Sequence, residues 1–163
     1  MNRKFAFWGY FLFLLVAIIV IPASMAGLPV WINLRLFFGF VTQNFLLTML
    51  SVFGLLFDYA SIIIPRTELS SVQIAVLVRH PTGERLYVTY FRFLVIYLLP
   101  FTIVKAYALI VHLSLITLTW FLLAIVIWTF LLLFRLGRDN SVSEGIILIM
   151  LIGLRVVASL LIK

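Results

Sequence analysis

The longest apolar run in the chain covers residues 93–134, and only Lys105 and His112 interrupt its 42 residues with basic side chains. An α-helix rises about 1.5 Å per residue, so one helix of this length would be about twice as long as the hydrocarbon core of a bilayer is thick. We therefore expect two membrane-spanning helices, joined by a tight turn between Lys105 and Ser114.

The rest of the sequence is similarly apolar, because 66% of its 163 residues are hydrophobic and 10% are charged. Soluble domains contain about 25% charged residues, so this chain has too few polar side chains to cover a surface in water. The predicted fold class is an all-α integral membrane protein, a single domain over residues 1–163 with about five transmembrane helices in one bundle. The predicted spans are residues 5–27, 36–64, 90–110, 113–134 and 145–162, of which the last spans or lies partly in the interface.

The only substantial polar loop, residues 66–92, contains two stretches of β-branched or alternating residues. Residues 72–78 and 85–91 flank a turn with Pro81 and Gly83. Two such stretches around a Pro/Gly turn predict a short β-hairpin over residues 70–91, lying at the membrane surface. In the alternative interpretation, the residues from Leu86 onward begin the next helix.

Lys and Arg residues are unevenly divided between the two sides of the five-span topology. One side has Arg35, Lys163 and, if it reaches that interface, Lys105. The other side has eight: Arg3, Lys4, Arg66, Arg79, Arg85, Arg92, Arg135 and Arg138. Cytoplasmic loops carry the excess of positive charge, so the N-terminus and the hairpin are predicted on the cytoplasmic or matrix side, and the C-terminus on the opposite side.

Polar residues in the second span fall on one helical face. They follow one another at intervals of four, three and seven residues: Asn44, Thr48, Ser51 and Asp58. Polar groups in hydrocarbon need partners, so this face should point at other helices rather than at lipid. Together with Lys105 and Arg155, these residues form a predicted polar seam inside the membrane.

Three seam residues are ionisable. Asp58 is the only acid in a predicted span, and its candidate roles are ion passage, proton relay or simple pairing with a nearby Arg. Arg155 has no obvious route to water and is expected to pair with Asp58 or with a lipid phosphate. Lys105 is expected to snorkel to the far interface, with a role in a pathway or ligand site as the alternative.

Cofactors and catalysis find little support in the sequence. A haem would need axial His ligands, and only His80 and His112 are present, on opposite predicted sides, so His112 shared with a partner subunit is the one candidate. No Cys and no nucleophile-elbow, zinc-protease or phosphate-loop motif occurs, so neither a metal site nor an enzyme is expected. The sequence has no basic stripe interleaved with aromatic residues, so no nucleic acid partner is expected.

Residues 78–162 contain a series of short motifs, which are Glu84-Arg85-Leu86, Tyr90-Phe91-Arg92, Pro100, Trp128, Leu133-Phe134, Gly137-Arg138, Glu144-Gly145 and Leu154-Arg155. In these motifs the chain resembles an uncharacterised family of bacterial and archaeal multi-pass membrane domains of unknown function. Family members carry an aromatic-Pro pair where this chain has Asp139-Asn140. The resemblance implies a membrane fold and no known activity.

The leading hypothesis from the sequence is a non-catalytic accessory or structural subunit of a larger membrane complex. It would dock through polar helix faces and the surface hairpin, with other membrane subunits and lipids as its partners. One alternative is a small transporter or channel component that uses Asp58. The other is a haem-binding membrane anchor subunit of a respiratory complex.

Overall fold

A computed structural model describes residues 3–24, 29–79, 84–111, 113–133 and 140–162, and these residues form six α-helices without strands. The helices are α1 (Arg3–Ser24), α2 (Val30–Phe38), α3 (Phe45–Arg79), α4 (Glu84–Val111), α5 (Leu115–Leu133) and α6 (Asn140–Leu161). Helices α3 to α6 each contain a segment long and apolar enough to cross a membrane, namely Phe45–Leu69, Leu94–Val111, Leu115–Leu133 and Val142–Leu161. Among the residues whose side chains the structure describes, the apolar segment of α1 is Phe5–Ile21, which is shorter, so four candidate spans are found there where five were predicted.

Helix α3 is the centre of the bundle, and α1, α2, α4, α5 and α6 all pack against it. In the α1 interface, Phe7 stacks on Phe57, and the Tyr10 hydroxyl donates a hydrogen bond of 2.6 Å to the carbonyl oxygen of Phe53. Helices α5 and α6, by contrast, make little contact with each other. Their outward faces are apolar and more than half exposed at Val126, Phe130, Ile149 and Leu160, as lipid-facing surfaces are.

A break between α2 and α3 corrects the predicted second span, which was expected to begin at residue 36. The amide of Gly39 donates to the carbonyl oxygen of Arg35 (2.8 Å) and ends α2. A Cβ atom at Gly39 would lie 2.7 Å from Ser159 Oγ, so α6 can approach this closely only because the residue is glycine. Asn44 then caps α3, since its Oδ1 accepts a hydrogen bond from the amide of Leu46 (3.0 Å).

The predicted β-hairpin is wrong over the residues that the structure describes. Residues 70–79 continue α3, and residues 84–91 begin α4, as the alternative interpretation of Leu86 onward anticipated; residues 80–83 lie outside the described part. A two-stranded hairpin alone is marginally stable, whereas extending an existing helix adds a backbone hydrogen bond for each residue. Residues 70–79 end α3 and residues 84–93 begin α4, and we call this pair the arm.

The other predicted boundaries agree more closely with the structure. The turn expected between Lys105 and Ser114 follows α4, which ends at Val111, and precedes α5, which begins at Leu115. The spans predicted at 113–134 and 145–162 correspond to α5 and to most of α6. These helices are long apolar runs with polar residues at their ends, and hydropathy predicts such elements best.

Candidate functional site

Three charged side chains from three helices meet inside the bundle. Asp58 of α3, Lys105 of α4 and Arg155 of α6 are exposed by only 6%, 3% and 4%. The Oδ2 atom of Asp58 lies 2.9 Å from Lys105 Nζ and 2.6 Å from Arg155 Nη2. We call these three residues the ion cluster. With all three ionised, it places two positive charges against one carboxylate within the apolar segments.

Backbone carbonyl groups near the end of α2 face both cations. Lys105 Nζ donates to the carbonyl oxygen of Phe37 (2.7 Å), and Arg155 Nη1 donates to those of Gly39 (3.1 Å) and Ser51 (2.8 Å). The last carbonyl groups of a helix lack partners within it and form the negative end of its dipole. The short helix α2 thus places acceptors where the ion cluster has an excess of positive charge.

Small residues allow Arg155 to lie against the backbone of α3. A Cβ atom added to Gly54 would lie 3.1 Å from Arg155 Nη2, which is closer than ordinary van der Waals contact. One turn further along α6, Ser159 Oγ donates to the carbonyl oxygen of Arg155 (2.7 Å) and accepts from the amide of Phe40 (2.6 Å). The loop after α2 is therefore fastened to α6 beside the arginine.

A cavity of about 60 Å³ adjoins the ion cluster between α5 and α6. Its wall on the α5 side is apolar and aromatic, with Trp120, Leu123, Ala124, Ile127 and Trp128. The indole of Trp128 donates to Ser61 Oγ (2.8 Å), and Ser61 Oγ donates to the carbonyl oxygen of Asp58 (2.7 Å). The Oδ1 atom of Asp58 is buried and has no hydrogen-bond partner within the described ranges.

The structure brings some of the predicted seam residues together and leaves others apart. Ser51 is buried and supplies a carbonyl oxygen to Arg155, while its hydroxyl donates to the carbonyl oxygen of Thr48. The Thr48 hydroxyl donates to the carbonyl oxygen of Val41 (2.7 Å) in the loop before α3. Asn44 is the exposed cap of α3 and lies outside the ion cluster. The haem candidate His112 lies outside the described residues.

The sequence interpretations of the two cations have opposite outcomes. The pairing of Arg155 with Asp58 is confirmed by their contact. The prediction that Lys105 snorkels to the interface is wrong, because the side chain is buried and ends on Asp58 and on the carbonyl group of Phe37. Lys105 precedes the end of α4 by six residues, so a partner inside the bundle is nearer than water.

A second buried arginine, Arg66, was predicted in a loop. It follows Pro65, where the span was expected to end, but α3 continues through both residues. Arg66 Nη1 donates to the carbonyl oxygens of Leu131 (3.2 Å) and Leu132 (3.3 Å), and Nη2 donates to Ser143 Oγ (3.3 Å). Arg66 therefore caps the carboxyl end of α5 and joins it to the start of α6.

Comparisons with known proteins give no relative for this chain. No family model, no curated protein and no solved structure matches it. The resemblance of residues 78–162 to the uncharacterised membrane family stays a prediction. Among the side chains that the structure places, no group of three His, Cys, Asp or Glu residues is positioned to hold a metal ion. The site must therefore be interpreted from its own geometry.

Proposed function

We propose that this chain is a small transporter or channel component in which Asp58 lies on the path of the transported ion. The observation that supports the proposal is the ion cluster itself, which is buried at the level of the apolar segments and borders a cavity. Ionisable groups at membrane depth are costly, and in multi-pass proteins they typically mark ion or substrate pathways. The ion cluster thus supports the transporter hypothesis better than the accessory-subunit hypothesis that the sequence favoured.

Stability alone gives a poor reason for the ion cluster. Replacing a buried ion pair or triad by apolar residues of similar volume is often neutral or stabilising, because desolvation opposes the attraction between the charges. The bundle already has an extensive apolar core around α3, including Phe57, Ile62 and Trp128. With this core present, the ion cluster is better explained by a task that requires charge.

The proposal is tested by flux through liposomes that contain the purified chain. We expect uptake of protons or small anions above the level of empty liposomes, reported by a pH-sensitive dye and by labelled phosphate, hydrogencarbonate and chloride. Asp58→Asn should abolish the flux. Glu84→Gln, at the start of α4 and outside its apolar segment, is the matched control and should retain it. No flux of any of these ions with the unaltered chain would reject the proposal.

In this proposal α1 is the fifth span, and the N-terminus lies on the cytoplasmic or matrix side. Supporting this, α1 runs antiparallel to α3, since Phe7 meets Phe57 while Tyr10 meets Phe53. The chain has no Cys, so single cysteines can be labelled directly. Thr42→Cys, in the exposed loop before α3, should react with an impermeant maleimide outside intact cells, whereas Glu84→Cys should react only after permeabilisation. The reverse pattern would overturn the orientation.

The accessory-subunit hypothesis is kept as a second candidate because of the arm. Within it, Val88 and Phe91 are exposed by 70% and 69%, at the end of α4 that also contains the charged residues Glu84, Arg85 and Arg92. Large apolar side chains exposed beyond a span suit a partner surface. The test compares what co-purifies from native membranes in mild detergent with the unaltered chain and with a Val88→Ser, Phe91→Ser variant. Loss of a defined stoichiometric partner supports docking through the arm, and a partnerless monomer in both preparations excludes it.

A further inference from the structure

We propose that the cavity beside the ion cluster binds a small oxyanion that still carries a hydroxyl group, such as hydrogenphosphate, hydrogencarbonate or a singly ionised phosphomonoester. This names the substrate class of the site described above and rests on the proposed function for its biological meaning. The binding itself follows from three properties of the site: its charge, its free hydrogen-bonding groups and its size.

The charge of the site favours an anion. Lys105 and Arg155 share one carboxylate, so the ionised cluster carries one uncompensated positive charge inside the bundle. The carbonyl groups of Phe37, Gly39 and Ser51 reduce this excess with their dipoles but supply no full negative charge. A bound anion offsets this positive charge, and a monovalent one such as hydrogencarbonate or a singly ionised phosphomonoester would make the site neutral, which is the state that a low-dielectric interior favours.

The hydrogen-bond donors of the site favour oxygen ligands. An ammonium group has three N–H donors and a guanidinium group has five. Within the described part of the chain, Lys105 uses two of its donors and Arg155 uses three. One N–H group of Lys105 and two of Arg155 thus make no hydrogen bond there, and Lys105 Nζ otherwise faces the rings of Phe38 and Phe101 at 5.6 Å and 5.5 Å. Several donors of this kind recognise the oxygens of phosphate and carboxylate groups.

The free acceptor of the site selects among anions. Asp58 is one of the residues that line the cavity. Its Oδ1 atom is buried and accepts no hydrogen bond within the described ranges. An acceptor-only anion such as sulfate or nitrate would bring its own lone pairs toward this oxygen. A hydroxyl-bearing oxyanion can instead donate to Oδ1 while its other oxygens accept from Lys105 and Arg155. Asp58 is therefore the selecting residue.

The volume of the cavity sets the size of the ligand. A water molecule needs about 10–15 Å³ of this kind of space, so about 60 Å³ holds a few waters or one small oxyanion. A whole lipid does not fit. However, the limited contact between α5 and α6 leaves a lateral side through which a phosphomonoester headgroup could enter with its acyl chains outside. A free solute and a lipid headgroup would present the same chemistry here.

The test measures the thermal unfolding midpoint of the purified chain in neutral detergent at constant ionic strength and pH 7. A ligand that binds only the folded state raises this midpoint in proportion to the logarithm of its concentration above Kd. We expect hydrogenphosphate or hydrogencarbonate to raise it and sulfate and nitrate to leave it unchanged. Equal effects of all four anions would overturn the proposal, and so would the absence of any effect both here and with phosphatidate in the nanodiscs described below. This comparison needs only the unaltered chain.

Two variants sharpen the test. Asp58→Asn replaces the selecting acceptor by an amide that also donates, so sulfate should then stabilise the chain at least as well as hydrogenphosphate does. Lys105→Met leaves Asp58 and Arg155 as a neutral pair, and stabilisation by any anion should fall at least tenfold in apparent affinity. Retention of hydrogenphosphate selectivity by Asp58→Asn would contradict the assigned role of Asp58. Each variant is compared with its own anion-free midpoint.

Nanodiscs distinguish the two sources of the phosphate group. Stabilisation by phosphatidate over phosphatidylcholine, without an effect of free hydrogenphosphate, supports the assignment with a lipid as the source. The opposite result supports it with a solute as the source. Flux and binding fail separately: anion-specific stabilisation without flux rejects the transport role alone, and flux without anion-specific stabilisation rejects the oxyanion assignment alone.

Discussion

Two arginines are buried among the residues that the structure describes, and their surroundings differ. Arg155 faces a carboxylate, retains unused donors and borders a cavity. Arg66, exposed by only 6%, donates to two carbonyl oxygens at the end of α5 and to the hydroxyl of Ser143. Burial alone therefore does not mark a functional site. Arg66 has the geometry of a helix cap, whereas Arg155 belongs to a charged group with room for a ligand.

The largest effect on stability is expected from removing the carboxylate of Asp58, which pairs with Arg155. Asp58→Ala leaves Lys105 and Arg155 buried without their counter-ion, which should cost about 3–5 kcal/mol of stability. Unfolding by sodium dodecyl sulfate titration in mixed micelles measures this. The triple variant Asp58→Leu, Lys105→Met, Arg155→Leu should regain most of the loss while having no flux. A triple variant as unstable as Asp58→Ala would show that the charges are needed for folding.

At the other arginine the expected effect is smaller. Arg66→Met removes the hydrogen bonds to Leu131, Leu132 and Ser143 and leaves the two carbonyl groups short of donors, at a cost of about 1–3 kcal/mol. Flux and anion selectivity should stay at the level of the unaltered chain, because the ion cluster is untouched. The same titration and flux assays apply. Loss of anion selectivity in Arg66→Met would remove the distinction between the two arginines.

A third prediction concerns the space that Arg155 occupies against α3. Gly54→Ala places a methyl group 3.1 Å from Arg155 Nη2, so the guanidinium must shift, at a cost of about 1–2 kcal/mol. The anion-induced rise in the unfolding midpoint should shrink as well. Gly9→Ala in α1 is the matched control, because no atom lies within 4 Å of the added Cβ and alanine favours helix. Equal effects of the two substitutions would show that the effect of Gly54→Ala comes only from the helix propensity of alanine.

The sequence predicted the parts of the fold that hydropathy determines and missed those that depend on contacts between distant residues. Long apolar runs located α4, α5 and most of α6, and the depth of Arg155 indicated its pairing with Asp58. Lys105 was ambiguous because a lysine near a helix end can reach either water or a buried acid, and sequence spacing does not decide between them. The alternation in residues 72–78 suited a strand in isolation, but the structure extends α3 through them.

The break before α3 is another feature of the site that depends on contacts between distant residues and that the sequence did not predict. It requires Gly39 at its close approach to Ser159, which is 120 positions later in the chain, and no local pattern reveals that contact. Without the break, periodicity places Asn44 on the face of Thr48 and Ser51. With it, the carbonyl groups of Phe37 and Gly39 reach the ion cluster, and these acceptors were absent from the predicted seam.

Asn44 gives the smallest effect and distinguishes directly between the seam and the cap. As a cap, it accepts a hydrogen bond from the amide of Leu46, so Asn44→Ala should cost about 1 kcal/mol. Asn44→Asp should retain the stability, since aspartate also caps, whereas Asn44→Gln should lose as much as alanine, because its longer side chain caps poorly. A membrane seam would rank these variants differently: a neutral amide in Gln would be tolerated, and a new carboxylate would not. Detergent titration of the three variants therefore determines whether Asn44 is a helix cap or a residue of the polar seam. The answer also shows where α3 begins relative to the ion cluster.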